Sequence, residues 1–374
     1  MIPLHIPYYS PTTRDAVKNV VLGLNDKNYY AELSTQFENE FGFKHSYFTK
    51  SCTSALETIA LLLELKPGDE VIVPSYTFVT SANAFAMFGA NIVFADSHEN
   101  HPNVSVRSIV EKITPKTRAI VVVHYGGVAV EELENLRREC DKRNIFLIED
   151  AAHAIGAYLN QKHLGLFGHA ATFSFHESKN LTCVEGGLLL INHEPWCTRA
   201  NYIINKGTNR AQFDSKHVAF YEWVDFGSSY KLDTLHAAIL SEQLKNIREV
   251  TARRLEIYNL YENGLRPLHD KGAFYFQPHV EKAIRHNAHI CWIVLPTAEE
   301  KNKLHAYLKS KEIFTTFHYL ALHKSPFGKK YHNKTALPNS EKFETNLLRL
   351  PLYFQLSNNE VNYIISEIKN YYNS

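Results

Sequence analysis

The chain lacks the features that mark several large classes of protein. Its five cysteines are scattered and include no C-x-x-C pair, which argues against a disulfide framework and favours a reducing cytoplasm. The 40 basic side chains balance 39 acidic ones, so no basic field attracts nucleic acid or an anionic membrane. No apolar run reaches the ~20 residues that span a bilayer. The 20 histidines show no H-E-x-x-H spacing, and we expect no bound metal.

What remains is the composition of an ordinary soluble protein. Apolar residues make up 45% of the 374 positions and charged residues 21%. This length predicts roughly two domains with ample room for a core. Residues 1–7 have neither the charged nor the apolar segment of a signal peptide. We therefore expect a cytoplasmic location.

Between residues 50 and 190, short apolar runs alternate with helical patterns. This alternation indicates a parallel sheet covered on both faces, in which ligands bind beyond the carboxyl ends of the strands. The residues that end the predicted strands therefore deserve most scrutiny, namely Ser75, Asp96, His124, Asp150 and Ser174. The predicted strands are 70–74, 91–95, 119–123, 145–149 and 171–175, and the helices between them are 54–65, 79–88, 105–113 and 131–142.

The pattern changes after about residue 248. A helix at 230–247 leads into a charged helix, and a strand at 290–295, a helix at 298–310 and a final helix from 358 follow. This order is typical of a small α+β domain. We predict a large domain at 1–247 and a small C-terminal domain at 248–374, packed closely because no Gly/Ser linker separates them.

Lys179 and Asp150 suggest a cofactor. Lys179 follows an apolar strand and precedes a double glycine, and Asp150 closes another apolar strand. A lysine amine condenses with an aldehyde, and a carboxylate at a strand end holds a pyridinium nitrogen, so the pair points to pyridoxal 5'-phosphate. Each residue also has an ordinary interpretation, as a surface charge for Lys179 and as a helix cap or turn former for Asp150.

Small hydroxyl residues suggest a phosphate site. Thr53 and Ser54 lie where a helix opens, and the first N–H groups and positive dipole end of a helix favour a phosphate. A plain N-cap is the alternative. Ser174 adds a hydroxyl at a strand end, and Phe78 is either a ring that stacks on a planar ligand or a core aromatic.

The ordered motifs resemble those of a known family, the DegT/DnrJ/StrS-type sugar-nucleotide aminotransferases. These are pyridoxal-phosphate enzymes of fold type I, the aspartate aminotransferase architecture. The resemblance implies an α/β fold with a mostly parallel sheet in the large domain. It is carried by KPGDEV at 66–71, PSYTF at 74–78, EDAAH at 149–153, SFHESKN at 174–180, EGG at 185–187, GSSY at 227–230 and LPL at 350–352.

The resemblance gives several residues a role toward the cofactor. By it, Lys179 attaches the cofactor, Asp150 pairs with the pyridine nitrogen, His153 contacts the ring hydroxyl and Phe78 stacks on the ring. The phosphate is lined by Thr53, Ser54 and Ser174.

The family also implies a homodimer with shared active sites. A Gly-x-Asn-Tyr segment of one subunit reaches the phosphate in the other. Here Ser229 stands at the Asn position with a shorter side chain. We also predict four substrate-binding residues, Tyr230, Arg210, Tyr319 and His323.

Within the family, the segments 51–53, 175–177, 206–210, 212–213 and 227–230 most resemble those of the dTDP-4-amino-4,6-dideoxygalactose transaminases. It implies transfer of an amino group from L-glutamate to dTDP-4-keto-6-deoxy-D-glucose for a surface polysaccharide. Residues 181–187 depart from that subgroup and resemble the UDP-4-amino-4-deoxyarabinose aminotransferases, and a glycine-rich loop usual near residue 25 is missing at 25–28. A 3-keto or UDP-linked sugar, a sugar dehydratase (in which histidine replaces the lysine) and a non-catalytic regulatory protein remain alternatives.

Overall fold

The structure, a computed structural model that describes residues 1–24, 27–276, 283–332 and 334–373, is built on a seven-stranded sheet. The strand order is β1-β9-β8-β5-β4-β2-β3. The strands are β1 Ser46–Thr49, β2 Glu70–Pro74, β3 Asn91–Ala95, β4 Thr117–Val123, β5 Phe146–Asp150, β8 Ala170–Ser174 and β9 Gly187–Ile191. The five predicted strands are thus confirmed within about two residues, whereas β1 and β9 were not predicted.

Strands β3, β2, β4, β5 and β8 run parallel, and β9 is antiparallel to both β8 and β1. The predicted mostly parallel sheet is confirmed. Its central strands are buried on both faces, which explains why their sequences are apolar throughout. In the register, Asp150 of β5 pairs with Val123 of β4 and Thr172 of β8, so the carboxyl ends of these strands meet at one edge.

Helices cover both faces of this sheet. Leu33 and Phe37 of α2 belong to the core on one face, and Leu56 and Ile59 of α3 to the core on the other. The helices of this part are α1 Thr13–Val21, α2 Tyr29–Phe41, α3 Cys52–Leu62, α4 Thr80–Ala86, α5 Val106–Val110, α6 Leu133–Lys142, α7 Cys197–Ile204, α8 Arg210–Asp214 and α9 Thr234–Leu244. The connection at 25–28 includes Asn25 and Asp26, which lie outside the described residues.

A second core lies in the C-terminal part, around a three-stranded sheet of order β10-β12-β13. Ile2, at the other end of the chain, bridges to Ile313 and packs against this core. The predicted domain boundary falls at the start of α10. The elements are α10 Ile247–Asp270, β10 Tyr275–Phe276, β11 Ile284–Arg285, β12 Cys291–Val294, α11 Ala298–Ser310, α12 Pro338–Asn346, β13 Leu347–Leu350 and α13 Asn358–Asn373.

A small sheet joins the two parts. Strand β11 pairs with β6 (Tyr158–Leu159), which pairs with β7 (Lys162–His163). Short 3₁₀ turns lie at Tyr125–Gly127, Glu194–Trp196, Leu322–Lys324 and Gly328–Lys330. Among the described residues, no helix combines the length and apolarity needed to cross a membrane.

Three of the five predicted strand-end residues form hydrogen bonds with other groups of the protein and stabilise the fold. The Ser75 hydroxyl lies 2.6 Å from a ring nitrogen of His323. His124 Nε2 donates to Glu149 at 2.8 Å, with both side chains fully buried. Asp96 binds the start of a helix. Strand-end position alone therefore does not identify a ligand site, although Asp150 and Ser174 do face a cavity.

Asp96 completes the N-terminus of α12. One carboxylate oxygen accepts from the backbone N–H and the hydroxyl of Ser340 at 2.8 and 2.7 Å, and the other accepts from the N–H of Asn339 at 3.1 Å. Leu337, at the N-cap position, offers no side-chain oxygen for these groups. A carboxylate from the large sheet therefore caps a helix of the C-terminal part.

We predict that Asp96→Ala lowers the free energy of unfolding by about 2 kcal/mol, because the first turn of α12 loses its charged acceptor. Denaturant unfolding measures the change. The matched control is Glu99→Ala, since Glu99 is exposed and its carboxylate accepts a long 3.4 Å bond from the neighbouring Asn100. That variant stays within about 0.5 kcal/mol of the parent, and equal losses in both variants would contradict the capping role.

Candidate active site

A cavity of about 490 Å³ opens at the carboxyl ends of β5 and β8. This is the edge at which open parallel sheets bind ligands. The cavity wall unites seven residues predicted for cofactor or substrate: Thr53, Phe78, Asp150, His153, Ser174, Lys179 and Tyr319.

Asp150 lies buried at the end of β5. One carboxylate oxygen accepts from the Ser81 hydroxyl at 2.7 Å, and the other accepts from the Ala152 N–H at 3.2 Å. Burial raises the pKa of Asp150, while these two donors favour the ionised form and oppose the shift. No salt bridge to Asp150 forms within the part of the chain that the structure describes. The carboxylate is therefore prepared for a cationic ligand. The residues after Asp150 form a turn and not a helix, so the helix-cap alternative does not apply, whereas the bond from the Ala152 N–H does make Asp150 a turn former.

Lys179 enters the cavity from the loop after β8. Its backbone N–H donates to the carbonyl of His176 at 2.9 Å, which closes a turn. Desolvation lowers the pKa of Lys179 to about 8, and the neighbouring Cys52 and Asp150 oppose this shift. A larger share of this amine than of an ordinary lysine is therefore unprotonated and nucleophilic near neutral pH.

The first turn of α3 faces the same cavity. Thr53 in this turn and Ser174 at the end of β8 line the wall. Strand β9 comes so close that a Cβ atom on Gly187 would lie 2.3 Å from the carbonyl carbon of Ser51 and 2.4 Å from the nitrogen of Cys52. Glycine is thus required there for close approach of the strand to the helix start. Hydroxyl groups and the helix N-terminus together form an anion cradle.

Aromatic rings stack beside the cavity. The ring of His153 lies 4.3 Å from that of His289. His153 Nδ1 accepts from the Gly126 N–H at 3.3 Å, so the neutral ring carries its hydrogen on Nε2, which lies 3.2 Å from the Tyr319 hydroxyl. Burial lowers the pKa of His153 far below its ordinary value. Phe78 is 53% exposed at the cavity mouth, which excludes a core role and leaves it free to cover a planar ligand.

The cavity also contains residues that the sequence reasoning missed, above all Arg349. Arg349 lies in β13, and its Nε is buried without a hydrogen-bond partner in the described chain. Burial lowers the pKa of Arg349, and three nearby tyrosines oppose the shift. The available signal was a charge inside an apolar strand, Leu348-Arg349-Leu350. His289 and His318, also in the wall, gave no comparable signal.

Five predicted residues lie outside this cavity wall. Ser54 is in α3, next to a lining residue, and Tyr230 packs against the core beside that helix. Arg210 and Ser229 line a second cavity of about 440 Å³. His323 is buried, with both ring nitrogens engaged by neighbouring side chains. Binding roles for these residues stay predictions.

The groups in the cavity match pyridoxal 5'-phosphate. An amine of lowered pKa suits its aldehyde, a buried carboxylate without a cationic partner suits its pyridine nitrogen, and the anion cradle suits its phosphate. Fold and site together define a pyridoxal-phosphate enzyme of fold type I.

Comparison with known proteins identifies the family. The signature of the DegT/DnrJ/EryC1/StrS aminotransferase family matches residues 7–369. The chain therefore belongs to this family and is a pyridoxal-phosphate-dependent aminotransferase.

Relatives match over nearly the full length. An uncharacterized protein of Methanocaldococcus jannaschii, MJ1066, is 30% identical over 343 residues, which are 89% of this chain and 87% of that protein. The aminotransferase TlmJ of Streptoalloteichus hindustanus superposes with a TM-score of 0.90 at 27% identity, covering 99% of this chain and 98% of its own. A DegT DnrJ EryC1 StrS aminotransferase of Brucella abortus superposes with a TM-score of 0.85 at 26% identity, covering 96% of this chain and 95% of its own.

The environment of Asp150 predicts a pH effect. Ser81→Ala removes a donor that favours the carboxylate, so the pKa of Asp150 rises further. The acid limb of the kcat/KM profile then moves to higher pH, by about one unit. Ser241→Ala is the matched control, because the Ser241 hydroxyl is buried without a partner in the described chain. A profile for Ser81→Ala that coincides with the control would refute this assignment.

Proposed function

We propose that the protein transfers the amino group of L-glutamate to the C4 ketone of dTDP-4-keto-6-deoxy-D-glucose. The product is dTDP-4-amino-4,6-dideoxy-D-galactose, made in the cytoplasm for a surface polysaccharide. The observation that carries the proposal is an intact Lys179 that shares one cavity with Asp150. The choice of sugar is supported by the subgroup resemblance of residues 206–213 and 227–230.

Two residues perform the proton and charge chemistry. Bound pyridoxal phosphate supplies an electron sink for the carbanion formed at the substrate carbon. Asp150 would supply a fixed negative charge that keeps the cofactor's pyridine nitrogen protonated. The Lys179 amine acts as general base and acid, taking the proton from the donor's α-carbon and returning one to the acceptor carbon. A pKa of about 8 suits this exchange near neutral pH.

Arg349 supports an acidic amino donor. Its guanidinium lies in the cavity wall, and no salt bridge engages it within the described residues. A carboxylate is the ligand that a guanidinium binds best, with two parallel hydrogen bonds. The positive charge of Arg349 lowers the pKa of Lys179, and a donor carboxylate bound to Arg349 would weaken this effect. L-glutamate satisfies this requirement.

A homodimer is part of the proposal. Large apolar side chains of the 213–226 segment are exposed in the single chain, including Phe220 at 73%, Trp223 at 81% and Phe226 at 72%. Exposed clusters of this kind mark interaction surfaces. The adjacent second cavity contains Arg210, Ser229 and the cations Lys206 and Lys231. We therefore place the partner subunit against this face, where the family's shared active site requires it.

The alternatives differ in what supports them. Residues 181–187 favour a UDP-linked acceptor, and nothing in the cavity fixes the ketone at C4 rather than C3. The intact Lys179 opposes a sugar dehydratase, because those enzymes replace it by histidine. An amine of lowered pKa beside a buried carboxylate also opposes a purely regulatory protein.

The product tests the proposal directly. Incubation of the holoenzyme with L-glutamate and dTDP-4-keto-6-deoxy-D-glucose should yield the 4-amino-4,6-dideoxygalactose product, identified by NMR, together with 2-oxoglutarate. Lys179→Ala should lose turnover by at least about a thousandfold, since general acid–base catalysis is worth 10²–10⁴ and the cofactor anchor is also lost. Borohydride reduction should leave a cofactor adduct on Lys179 in the parent. A product from a UDP-linked or 3-keto sugar instead would establish an alternative.

Arg349 provides a test of the donor. Arg349→Gln should raise the KM for L-glutamate about 30- to 100-fold through loss of a charged hydrogen-bonded contact. The KM for the keto sugar should change less than about threefold. Arg349→Lys, which keeps the charge without the planar fork, should lie between parent and Gln variant. Equal increases in both KM values would argue against a donor-specific role.

A further inference from the structure

Asn180, the residue after Lys179, is held from the C-terminal part of the chain. It is buried, and both ends of its amide are engaged. Its Nδ2 donates to the carbonyl of Asn287 at 2.8 Å. Its Oδ1 accepts from Nδ1 of His289 at 3.1 Å. The backbone from which the lysine extends is therefore tied to a segment more than one hundred residues later.

The 287–289 segment is itself fixed. The Asn287 amide donates to the carbonyls of His153 and Ile155, both at 2.8 Å. The buried guanidinium of Arg254 donates to the carbonyls of Ala288 at 3.1 Å and His289 at 2.6 Å. These bonds hold Ala288 in the left-handed region at φ +48. The segment thus arrives at Asn180 with little freedom of its own.

The same segment contacts the loop after β4. A Cβ atom on Gly127 would lie 1.9 Å from the Asn287 side-chain oxygen and 2.9 Å from the His153 carbonyl, and Gly127 has φ +78. Glycine is required at this position for both reasons. Asn287 therefore fills the space between the Gly126-Gly127 turn and the loop that follows Asp150.

The network also fixes the orientation of the His289 ring. A backbone carbonyl only accepts, so the Asn180 amide must point its nitrogen at Asn287 and its oxygen at His289. His289 Nδ1 then carries the hydrogen. Burial and the nearby cations keep the ring neutral by lowering its pKa. The ring stacks on His153 at 4.3 Å and forms part of the cavity wall.

We propose that His289 and Asn287 are positioning residues for Lys179. They act through Asn180, whose side-chain amide donates to the carbonyl of Asn287 and accepts from Nδ1 of His289. The second of these bonds also fixes the orientation of the His289 ring. The role rests on the aminotransferase chemistry and on no particular sugar. Geometry at a reacting amine is demanding, and a shift near 1 Å costs about a hundredfold in rate.

Three variants test the link. His289→Phe removes the donor but keeps a ring, and Asn180→Ala removes its acceptor. Both should slow the single-turnover half-reaction with L-glutamate about 10- to 100-fold. His289→Asn places an amide N–H near the original Nδ1 position and should recover at least about threefold of the rate that His289→Phe loses. His45→Phe is the control, because this histidine lies outside the cavity wall and its Nε2 is as far as 3.9 Å from the Glu194 carboxylate.

A second readout needs neither donor nor sugar. Trinitrobenzenesulfonate labels neutral amines, so its reaction with Lys179 in the apoenzyme, followed by mass spectrometry against pH, reports the pKa of that amine. The parent should show a midpoint near pH 8. His289→Phe and Asn180→Ala should move it upward, toward the ordinary lysine value of about 10.4, as the amine gains solvent. The titratable groups near the amine, which must stay unchanged, include His153 and His318 as well as Cys52, Asp150, Glu185 and Arg349.

Two outcomes would overturn the proposal. One is parent-like rates and labelling in both His289→Phe and Asn180→Ala, with melting temperatures that show both variants are folded. The other is a parent-like rate for Asn180→Ala together with a slow rate for His289→Asn. This pair of results would show that His289 does not act on Lys179 through its hydrogen bond to Asn180. If His289→Phe does not fold, the Asn180 and His289→Asn variants still decide. A parent that fails to react with L-glutamate would refute the donor assignment and leave the labelling result intact.

Discussion

The active site depends on one buried carboxylate. Asp150 ends β5, the middle strand of the seven-stranded sheet, between β4 and β8, so its position is set by the sheet and not by a mobile loop. Two neutral donors are weak compensation for a buried charge. A cationic ligand group completes the compensation, and the same carboxylate then tunes that group. The contact between the Asp150 carboxylate and this cationic group thus affects both the stability of the fold and the chemistry of the site.

Around this fixed charge, the two parts of the chain divide the work. The large sheet supplies Lys179, Asp150 and the anion cradle, which together suit a cofactor. The C-terminal part adds Arg349 and His289 to the same cavity. Arg349 presents a positive charge to the cavity, and His289 contacts the lysine loop through its hydrogen bond to Asn180. The cavity therefore exists only where the two parts meet.

The sequence was informative where function follows from local position. Asp150, Ser174 and Lys179 stand at or just after strand ends, and the alternation of apolar strands with helices places such ends at one edge. The sequence did not predict roles that depend on contacts between residues far apart in the chain. His289 meets Asn180 across 109 positions, and no periodicity encodes that pairing. The sequence likewise did not predict that the ring of His323, a candidate substrate-binding residue, forms a hydrogen bond with the Ser75 hydroxyl.

The cap that Asp96 gives to α12 has a consequence for how the chain is made. The carboxylate and the helix are 244 positions apart. During synthesis the strand that carries Asp96 emerges long before the helix it completes, and domains generally form from the N-terminal side first. The first turn of α12 therefore gains its cap only after most of the chain has been synthesised. A ribosome-bound chain that stops before α12 contains the Asp96 carboxylate but not the N–H groups of Asn339 and Ser340 from which it accepts hydrogen bonds.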